Sequence, residues 1–594
     1  MKKIFSFIAI ASVLILSACD SMLDTTNWDK KDTSNFPQTE KDAYQIILGI
    51  HNALVNTISA SSPDNNYIFY GNAASDEMFG GGGEDRLMYS TAEGFQYAWK
   101  GYYQGIFRAN YALSVIPEMD DALFSDIDTK NYYIGQAYFL RAWYFFQMAQ
   151  TFETFPMILT TDPVNEPRTD VETIYAQIAS DLNDAIKYMP SKYGYTQNDG
   201  LVGLSTKYAA EALAGRVYLF YTGFYNKSDL PGLTKSQVVS YLKDCRDNSG
   251  FGLERDQREI WPYTNGYTTG FNYGTDFDVY PSRNDLHWVG NHSKETVFAA
   301  HFSLVAWVGF NRIGEFYTGY VMGGVPNIGS YPIGSGYSMG KVNSKFVENW
   351  ATDPDYGFAD KRLWGTVYAT NNADQIYSWM NGQYVELPNY VGSFATEEEH
   401  TYFWQKKYAV IAAYSDANKS KMLRNFFYAT PVNNCYNHNL YDNRNDAIFI
   451  RYADVLLMLD ELEQTVTGMN KIRERAGLAP YSSYTFERLQ KERQYEFAFE
   501  GIRFNDLRRW YPDTAGKIIA DNQKGAYITF RGKVVDGGWK EMPGNSIEQR
   551  YAQTRGFWRI PSSEISLSEG VLDQNKGWED DNNTWFLSSD AMPY

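Results

Sequence analysis

The sequence is poor in cysteine: Cys19, Cys245 and Cys435 are the three in 594 residues. A chain of this length can bury a large hydrophobic core, so we expect the core, rather than disulfides, to stabilise the fold. After the N-terminal 18 residues there is no run of about 18 uninterrupted apolar residues, the length that a transmembrane helix needs. H-E-x-x-H, C-x-x-C, P-loop and Rossmann glycine patterns are also missing, and we predict neither a metal nor a cofactor.

Positive charge is also in deficit. The chain has 53 Lys and Arg against 71 Asp and Glu, a formal net charge of −18. This balance argues against nucleic acid, a polyphosphate or an anionic membrane surface as the main partner. A neutral ligand remains open, and the aromatic content of 17%, with 48 Tyr, offers many amphipathic rings for it.

The N-terminus has the pattern of an export signal. Lys2 and Lys3 precede an apolar stretch over 4–16, and LSAC follows at 16–19. These four residues resemble a bacterial lipobox, so residues 1–18 are predicted to be a lipoprotein signal peptide and Cys19 the lipidated residue. An ordinary secretory signal with an incidental Cys is the alternative. Residues 19–38 are polar and are expected to form a lipidated, flexible tether.

Helical periodicity dominates two parts of the rest of the chain. Apolar spacing of three and four predicts helices over 39–54, 99–115, 137–148, 169–189, 208–221, 448–464, 466–476 and 486–510. Between them the sequence is rich in Gly, Tyr, Phe, Trp and Asn, and a short strand is predicted at 296–300. The fold class is therefore mainly α, with helix pairs of tetratricopeptide type as scaffold and long loops and short strands on one side.

Several segments, taken together, resemble the SusD/RagB family of nutrient-binding outer-membrane lipoproteins of Bacteroidetes. They are GQAYFLRAWYF at 135–145, TKYAAEALAGRVYL at 206–219, IRYADVLLM at 450–458 with NKIRERAG at 470–477, ERQYEFAFEGIRFNDLRRW at 492–510, and IPSSEI at 560–565 with QNKGW at 574–578. One departure is visible. Only about 11 residues separate Met458 from Asn470, which predicts a shortened turn or one bent helix there.

The resemblance implies one SusD-like domain over 39–594. Its helical scaffold would comprise 39–250 and 447–510, its loop-rich ligand-binding part roughly 251–446, and its closing segment 511–594. It also implies a protein on the outer face of the outer membrane, held by its N-terminal lipid, that captures an oligosaccharide and delivers it to a SusC-like TonB-dependent transporter. Catalysis and nucleic-acid binding are not expected.

Two groups of residues are candidates for ligand contact. A glycine-rich loop at 75–86 carries polar side chains, and the middle of the chain carries aromatic rings suited to stacking on a sugar. The candidates are Asp76, Phe79, Glu84, Asp85 and Arg86 in the loop, and Trp288, Trp307, Tyr317, Tyr320 and Tyr337 in the middle. The competing interpretation is that Asp76 braces local backbone and that most of the rings belong to the core.

Three other functions compete. Glu492, Glu496 and Glu500 have a spacing that suggests a carboxylate pair of a surface glycoside hydrolase, although the nearby Arg493, Arg503, Arg508 and Arg509 favour a structural ion-pair network. A G-x-S-x-G pattern at 336–340, with His400 and His438 downstream, resembles an esterase elbow, but Pro and Gly break the strand that it needs. The chain could also be a transporter partner that binds peptides or has no ligand of its own.

Overall fold

The computed structural model describes residues 36–56, 67–79, 95–162, 164–191, 203–261, 286, 288–290, 293–301, 341–369, 401, 403–408, 411–414, 422–426, 446–530, 533–536 and 547–579. Helices dominate these residues, as the sequence predicts. They are α1 (Glu40–Asn56), α2 (Tyr67–Ala73), α3 (Gln96–Val115), α4 (Ile127–Phe152), α5 (Val171–Tyr188), α6 (Lys207–Phe224), α7 (Lys235–Asn248), α8 (Ser344–Thr352), α9 (Lys361–Thr366), α10 (Tyr452–Glu463), α11 (Thr467–Ala476), α12 (Phe486–Glu496), α13 (Arg503–Trp510), α14 (Ala515–Gln523), α15 (Ile547–Thr554) and α16 (Ser562–Leu567).

The N-terminal helices pack as successive neighbours. Helix α3 packs on α1 and α4, α5 lies between α4 and α6, and α6 packs on α7. Side-chain caps fix where these helices begin: Asp126, Asp170 and Thr206 each accept a hydrogen bond from a backbone N–H of the first turn of α4, α5 and α6. Thr234 and Gln237 form a capping box at the start of α7. The stop and start signals in the sequence therefore define this part of the scaffold.

Helix α4 is the central element of the N-terminal half. It has 26 residues, and nearly all of its side chains are buried. Arg141, which the sequence places on the apolar face, donates to both carboxylate oxygens of Asp181 at 2.8 and 2.7 Å and to Asn110 Oδ1 at 2.9 Å. Because its donors are paired, a guanidinium in this position does not incur the full cost of burying a charge.

The C-terminal helices return to this scaffold. Helix α10 packs on α7, α11 and α12, and α13 packs on α6. One continuous hydrophobic core runs from Ala43 to Trp578 and includes rings from both halves, such as Trp558 stacked on Phe95 at 4.6 Å between ring centroids. Sequence segments more than 400 residues apart thus share one core. No described helix is both long and apolar enough to cross a membrane.

The strands are short and form two-stranded antiparallel ladders within the described residues. The pairs are β1 (Met78–Phe79) with β3 (Lys341–Val342), β2 (Thr296–Ala300) with β8 (Ala447–Arg451), β4 (Val367–Ala369) with β5 (Phe403–Gln405), β6 (Ile411–Tyr414) with β7 (Met422–Phe426), and β9 (Tyr527–Phe530) with β10 (Lys533–Asp536). The β2–β8 pair joins residues 296–300 to residues 447–451, and both strands are buried. The strand predicted at 296–300 is confirmed.

Two predicted helices are wrong in part. Residues 448–451, assigned to a helix, belong to strand β8, and the helix begins only at Tyr452. The predicted helix over 486–510 is two helices, because Phe499 and Gly501 have φ values of 65° and 78° and break the α-helical ladder. Between α10 and α11 the chain makes a short turn with Gln464 in the left-handed conformation, so the shortened turn, and not the bent helix, is present.

Candidate ligand-binding site

A cavity among the described residues lies beside the loop that follows α2. The start of this loop is fixed by contacts to the turn between α12 and α13. Asn72 donates to the carbonyl of Phe499 at 2.7 Å and accepts from the N–H of Gly501 at 2.7 Å. Ser75 then donates to the carbonyl of Asn72 at 2.7 Å. The backbone is thus held firmly up to the residues predicted to contact a ligand.

Asp76 is the first of those residues, and it is 1% exposed. Both of its carboxylate oxygens accept from Arg503 at 2.8 Å, and Asn522 donates to the second oxygen at 2.7 Å. Burial opposes ionisation, but the charge of Arg503 and these hydrogen bonds outweigh it and lower the pKa of Asp76. The carboxylate braces the loop against α13 and α14. Whether it also contacts a ligand remains a prediction.

The neighbouring Glu77 has the opposite electrostatics. Its Oε2 accepts from the N–H of Phe499 at 3.0 Å, and its Oε1 is buried without a hydrogen-bond partner among the described residues. Burial raises the pKa of Glu77, and the negative charge of Asp76 raises it further, whereas the hydrogen bond from Phe499 lowers it. The net result is a pKa of about 8. At neutral pH this carboxyl is therefore mostly protonated, and the pair of adjacent acids carries a single negative charge.

The cavity has a volume of about 310 Å³ and lies between α8, α12 and α14. Its walls contain polar side chains and two aromatic rings: Asp76, Phe346, Asn349, Thr352, Asp353, Lys491, Gln494, Tyr495 and Asn522. At about 30 Å³ per water molecule it could hold roughly ten waters, which is also room for a small polar ligand. Apart from Asp76, no wall residue was predicted from the sequence.

Asn343 links the walls of the cavity. Its side-chain oxygen accepts from the N–H of Lys345 at 2.9 Å and caps α8. Its side-chain nitrogen donates to the carbonyl of Asp76 at 2.8 Å and, more weakly, to the carbonyl of Asn522 at 3.2 Å. One buried amide thus positions α8, the loop and α14 relative to each other.

The aromatic wall is held from behind. Tyr495 stacks on Trp350, with 4.5 Å between ring centroids and 12° between ring planes, and Phe346 lies 6.2 Å from Tyr495. Trp350 is fixed in turn by a hydrogen bond from its Nε1 to Asp360 Oδ2 at 3.1 Å. The rings are therefore parts of a rigid surface and not mobile side chains.

The charged groups of the cavity are already paired. Lys491 Nζ lies 3.0 Å from Asp353 Oδ2 and 3.5 Å from Glu487, and Asp76 is neutralised by Arg503. In contrast, Asn349, Gln494 and the Tyr495 hydroxyl make no hydrogen bond to the part of the chain that the structure describes, and Asn522 uses only its nitrogen. The groups that can bind a ligand here are neutral donors and acceptors beside aromatic rings.

The other predicted contacts are only partly described. Trp288 is half-buried and donates from Nε1 to the carbonyl of Ile260 at 3.2 Å. The backbone of Phe79 pairs with Lys341 in the β1–β3 ladder. The remaining candidates lie outside the described residues: Glu84, Asp85, Arg86, Trp307, Tyr317, Tyr320, Tyr337 and the lipidation site Cys19, together with Ser338, His400 and His438 of the esterase pattern.

The predicted ion-pair network around Glu492, Glu496 and Glu500 is confirmed. Glu496 contacts Arg362, Arg451 and Arg475 at 2.5–3.1 Å. All three carboxylates are at most 4% exposed, so they are closed to a substrate in solution.

The partners in this network are not those expected from neighbouring sequence. Arg493 pairs with Asp454 and Asp506, and Arg503 with Asp76. Arg508 lies among phenylalanine rings, 4.4 Å from the ring centroid of Phe557. The arginines beside the three glutamates thus stabilise other contacts of the scaffold.

Comparison with known proteins covers most of the chain. Residues 27–219 match a family described as starch-binding and associating with the outer membrane, and residues 260–578 match the SusD family. A SusD-like protein of Bacteroides ovatus is 23% identical over 447 residues, 73% of this chain and 69% of its own length. A laminarin-binding SusD-like protein superposes with a TM-score of 0.61 at 20% identity, covering 91% of this chain and all of the other. Surface glycan-binding protein A of Bacteroides thetaiotaomicron, in complex with laminarihexaose, superposes with a TM-score of 0.62 at 16% identity, covering 91% of this chain and all of the other.

Proposed function

Because the chain belongs to the SusD family, we propose that it is a cell-surface lipoprotein that binds oligosaccharides and delivers them to a SusC-like TonB-dependent transporter. The observation that carries this proposal is the cavity between α8, α12 and α14. Its accessible amide groups, on Asn349 and Gln494, suit the hydroxyl rim of a pyranose, while the rings of Phe346 and Tyr495, 4% and 3% exposed, support the walls.

The rest of the molecule supports binding without catalysis. The carboxylates that could have formed a hydrolytic pair are buried in ion pairs, and Asp76 is held by Arg503. A few hydrogen-bonding contacts in an open cavity give weak and reversible capture, which suits a protein that passes its ligand on. The lipobox at 16–19 would supply the anchor, and the laminarin-binding and laminarihexaose-bound proteins among the structural neighbours support the ligand class.

The test is a calorimetric titration of the lipid-free protein, starting at residue 20, with a panel of neutral oligosaccharides that includes laminarihexaose. We expect at least one to bind. We expect Asn349→Ala and Gln494→Ala to weaken binding without changing the melting temperature, because both side chains lie at the cavity and make no hydrogen bond to the residues that the structure describes. Trp288→Ala tests the second candidate region. If no oligosaccharide binds the wild type, oligosaccharide capture is refuted. If binding survives all three changes, the function stands and the site is elsewhere.

Two further measurements separate the competing functions. Chromatography of oligosaccharides incubated with concentrated protein should show no cleavage products, whereas products that disappear with a carboxylate variant would establish a hydrolase. Co-purification of the full-length lipoprotein from outer membranes should recover a TonB-dependent transporter. Cys19→Ala should release the protein from the membrane fraction, and retention of that variant would refute the lipid anchor.

A further inference from the structure

The charge arrangement of the cavity determines which class of sugar it can accept. We propose that this site selects neutral sugar rings and excludes uronic acids and other acidic sugars. The proposal rests on the proposed function, since it takes the cavity to be the oligosaccharide site and adds the substrate class.

Among the described residues, the walls of the cavity offer no unpaired cation. Lys491 is the cationic side chain in these described walls, and its Nζ is held 3.0 Å from Asp353 and 3.5 Å from Glu487. The ammonium raises no net positive potential, because two carboxylates surround it. Arg503, the next cation, donates to both oxygens of Asp76 and is 8% exposed. A carboxylate on a ligand would therefore lose its hydration without gaining a counter-charge.

The described groups in and beside the walls of the cavity also carry an excess of negative charge. Arg503 offsets Asp76, but Asp353 and Glu487, the latter 77% exposed, share the single ammonium of Lys491, so one negative charge is left over among these described groups. Glu77 lies behind Asp76 and is mostly protonated at neutral pH, but its pKa of about 8 means that it adds another negative charge in alkaline solution. An acidic ring entering this site meets like charge, and like charges across a contact reduce affinity.

The side chains of the cavity that make no hydrogen bond among the described residues suit sugar hydroxyls. Asn349 and Gln494 can each both donate and accept, Asn522 has a side-chain oxygen without a hydrogen bond among the described residues, and Tyr495 offers a hydroxyl beside its ring. A sugar hydroxyl is itself both donor and acceptor, so these amides can satisfy it in either direction. An ionised carboxylate can only accept hydrogen bonds. Beside the Asn522 oxygen, which is also an acceptor, it would form no hydrogen bond.

The test compares laminarihexaose, or whichever neutral oligosaccharide binds best in the panel, with an oligogalacturonide of similar length, in calorimetry at pH 7 and low salt. We expect the neutral ligand to bind at least tenfold more tightly. The double variant Asp353→Asn/Glu487→Gln frees Lys491 while preserving side-chain shape. It should raise the affinity for the oligogalacturonide relative to that for the neutral ligand by roughly fivefold, the effect of one solvent-exposed ion pair near 4 Å.

A matched control removes charge elsewhere. Glu463→Gln breaks a comparable exposed ion pair, Lys243 with Glu463 at 2.6 Å between α7 and α10, and should change neither affinity. Equal affinity of the wild type for both ligands, or no gain of oligogalacturonide binding in the double variant, would overturn the selectivity and leave oligosaccharide capture standing. Neutral binding that is insensitive to Asn349→Ala and Gln494→Ala would also overturn it, because the ligand would not occupy this cavity. Absence of binding by every oligosaccharide would instead refute the function itself.

Discussion

Replacing Asp76 with alanine tests whether this residue is a structural brace. The change leaves the guanidinium of Arg503 buried without the carboxylate that accepts two of its hydrogen bonds at 2.8 Å, and it also removes the acceptor of Asn522. Breaking a buried ion pair from one side costs about 3–5 kcal/mol. An unfolding entropy of about 2.1 cal/mol/K per residue gives about 1.2 kcal/mol/K for a chain of this length, so the melting temperature should fall by about 3 °C.

The assay is urea denaturation followed by circular dichroism, with thermal melting alongside. Asp573→Ala is the matched control, because Asp573 also pairs with an arginine, at 2.9 Å, but is 78% exposed. It should change the free energy of unfolding by no more than about 0.5 kcal/mol. Adding Arg503→Met to Asp76→Ala should recover part of the loss, since no unpaired charge then remains buried. If Asp76→Ala costs no more than Asp573→Ala, the reasoning about the brace is wrong.

Two other predictions concern stability. The pKa of Glu77 is raised from 4.5 to about 8 in the folded state, so its contribution to stability is complete below pH 4.5, declines as the pH rises and is lost above pH 8. Glu77→Gln keeps an acceptor for the Phe499 N–H and does not titrate. In urea denaturation its free energy of unfolding should therefore rise, relative to that of the wild type, by a few kcal/mol between pH 5 and pH 9, and a difference that does not change with pH would contradict this. Gly105→Ala would place a Cβ 2.3 Å from the ring of Tyr144 and should cost about 1–3 kcal/mol, whereas Gly49→Ala, with nothing within 4 Å, should be neutral or slightly stabilising; equal melting temperatures would contradict this.

The scaffold was predictable because its signals are local. Apolar periodicity places helices α5 and α6 within a few residues of the expected bounds, and Asp170 and Thr206 cap the first turns of these helices. Arg141 lies on the apolar face of α4, where a buried charge needs a partner. The identity of that partner, Asp181, depends on how α4 packs on α5, and no spacing in the sequence encodes it.

The errors arise where distant contacts decide local structure. Residues 448–451 are short and apolar, a pattern that fits a buried strand as well as a helix, and pairing with β2 makes them a strand. The break between α12 and α13 contains no proline. The freed backbone groups of Phe499 and Gly501 are instead satisfied by Asn72, more than 400 residues earlier in the chain. The apolar pattern over 486–510 predicts one helix, but contacts with Asn72, far away in the sequence, stabilise a break in it.

The same reasoning explains why the candidate site was largely missed. Asn349, Gln494 and Asn522 belong to three different helices, and none has a motif around it. They converge because Asn343 ties the Asp76 loop to α8 and α14, and because Arg503 draws that loop against α13. The sequence predicts Asp76 as a ligand contact, and in the structure its carboxylate binds Arg503 and Asn522 and so holds the walls together. Among the described residues of the cavity, the neutral amides that surround Asp76 keep free hydrogen-bonding groups, and for this reason we propose a neutral sugar ring as the ligand.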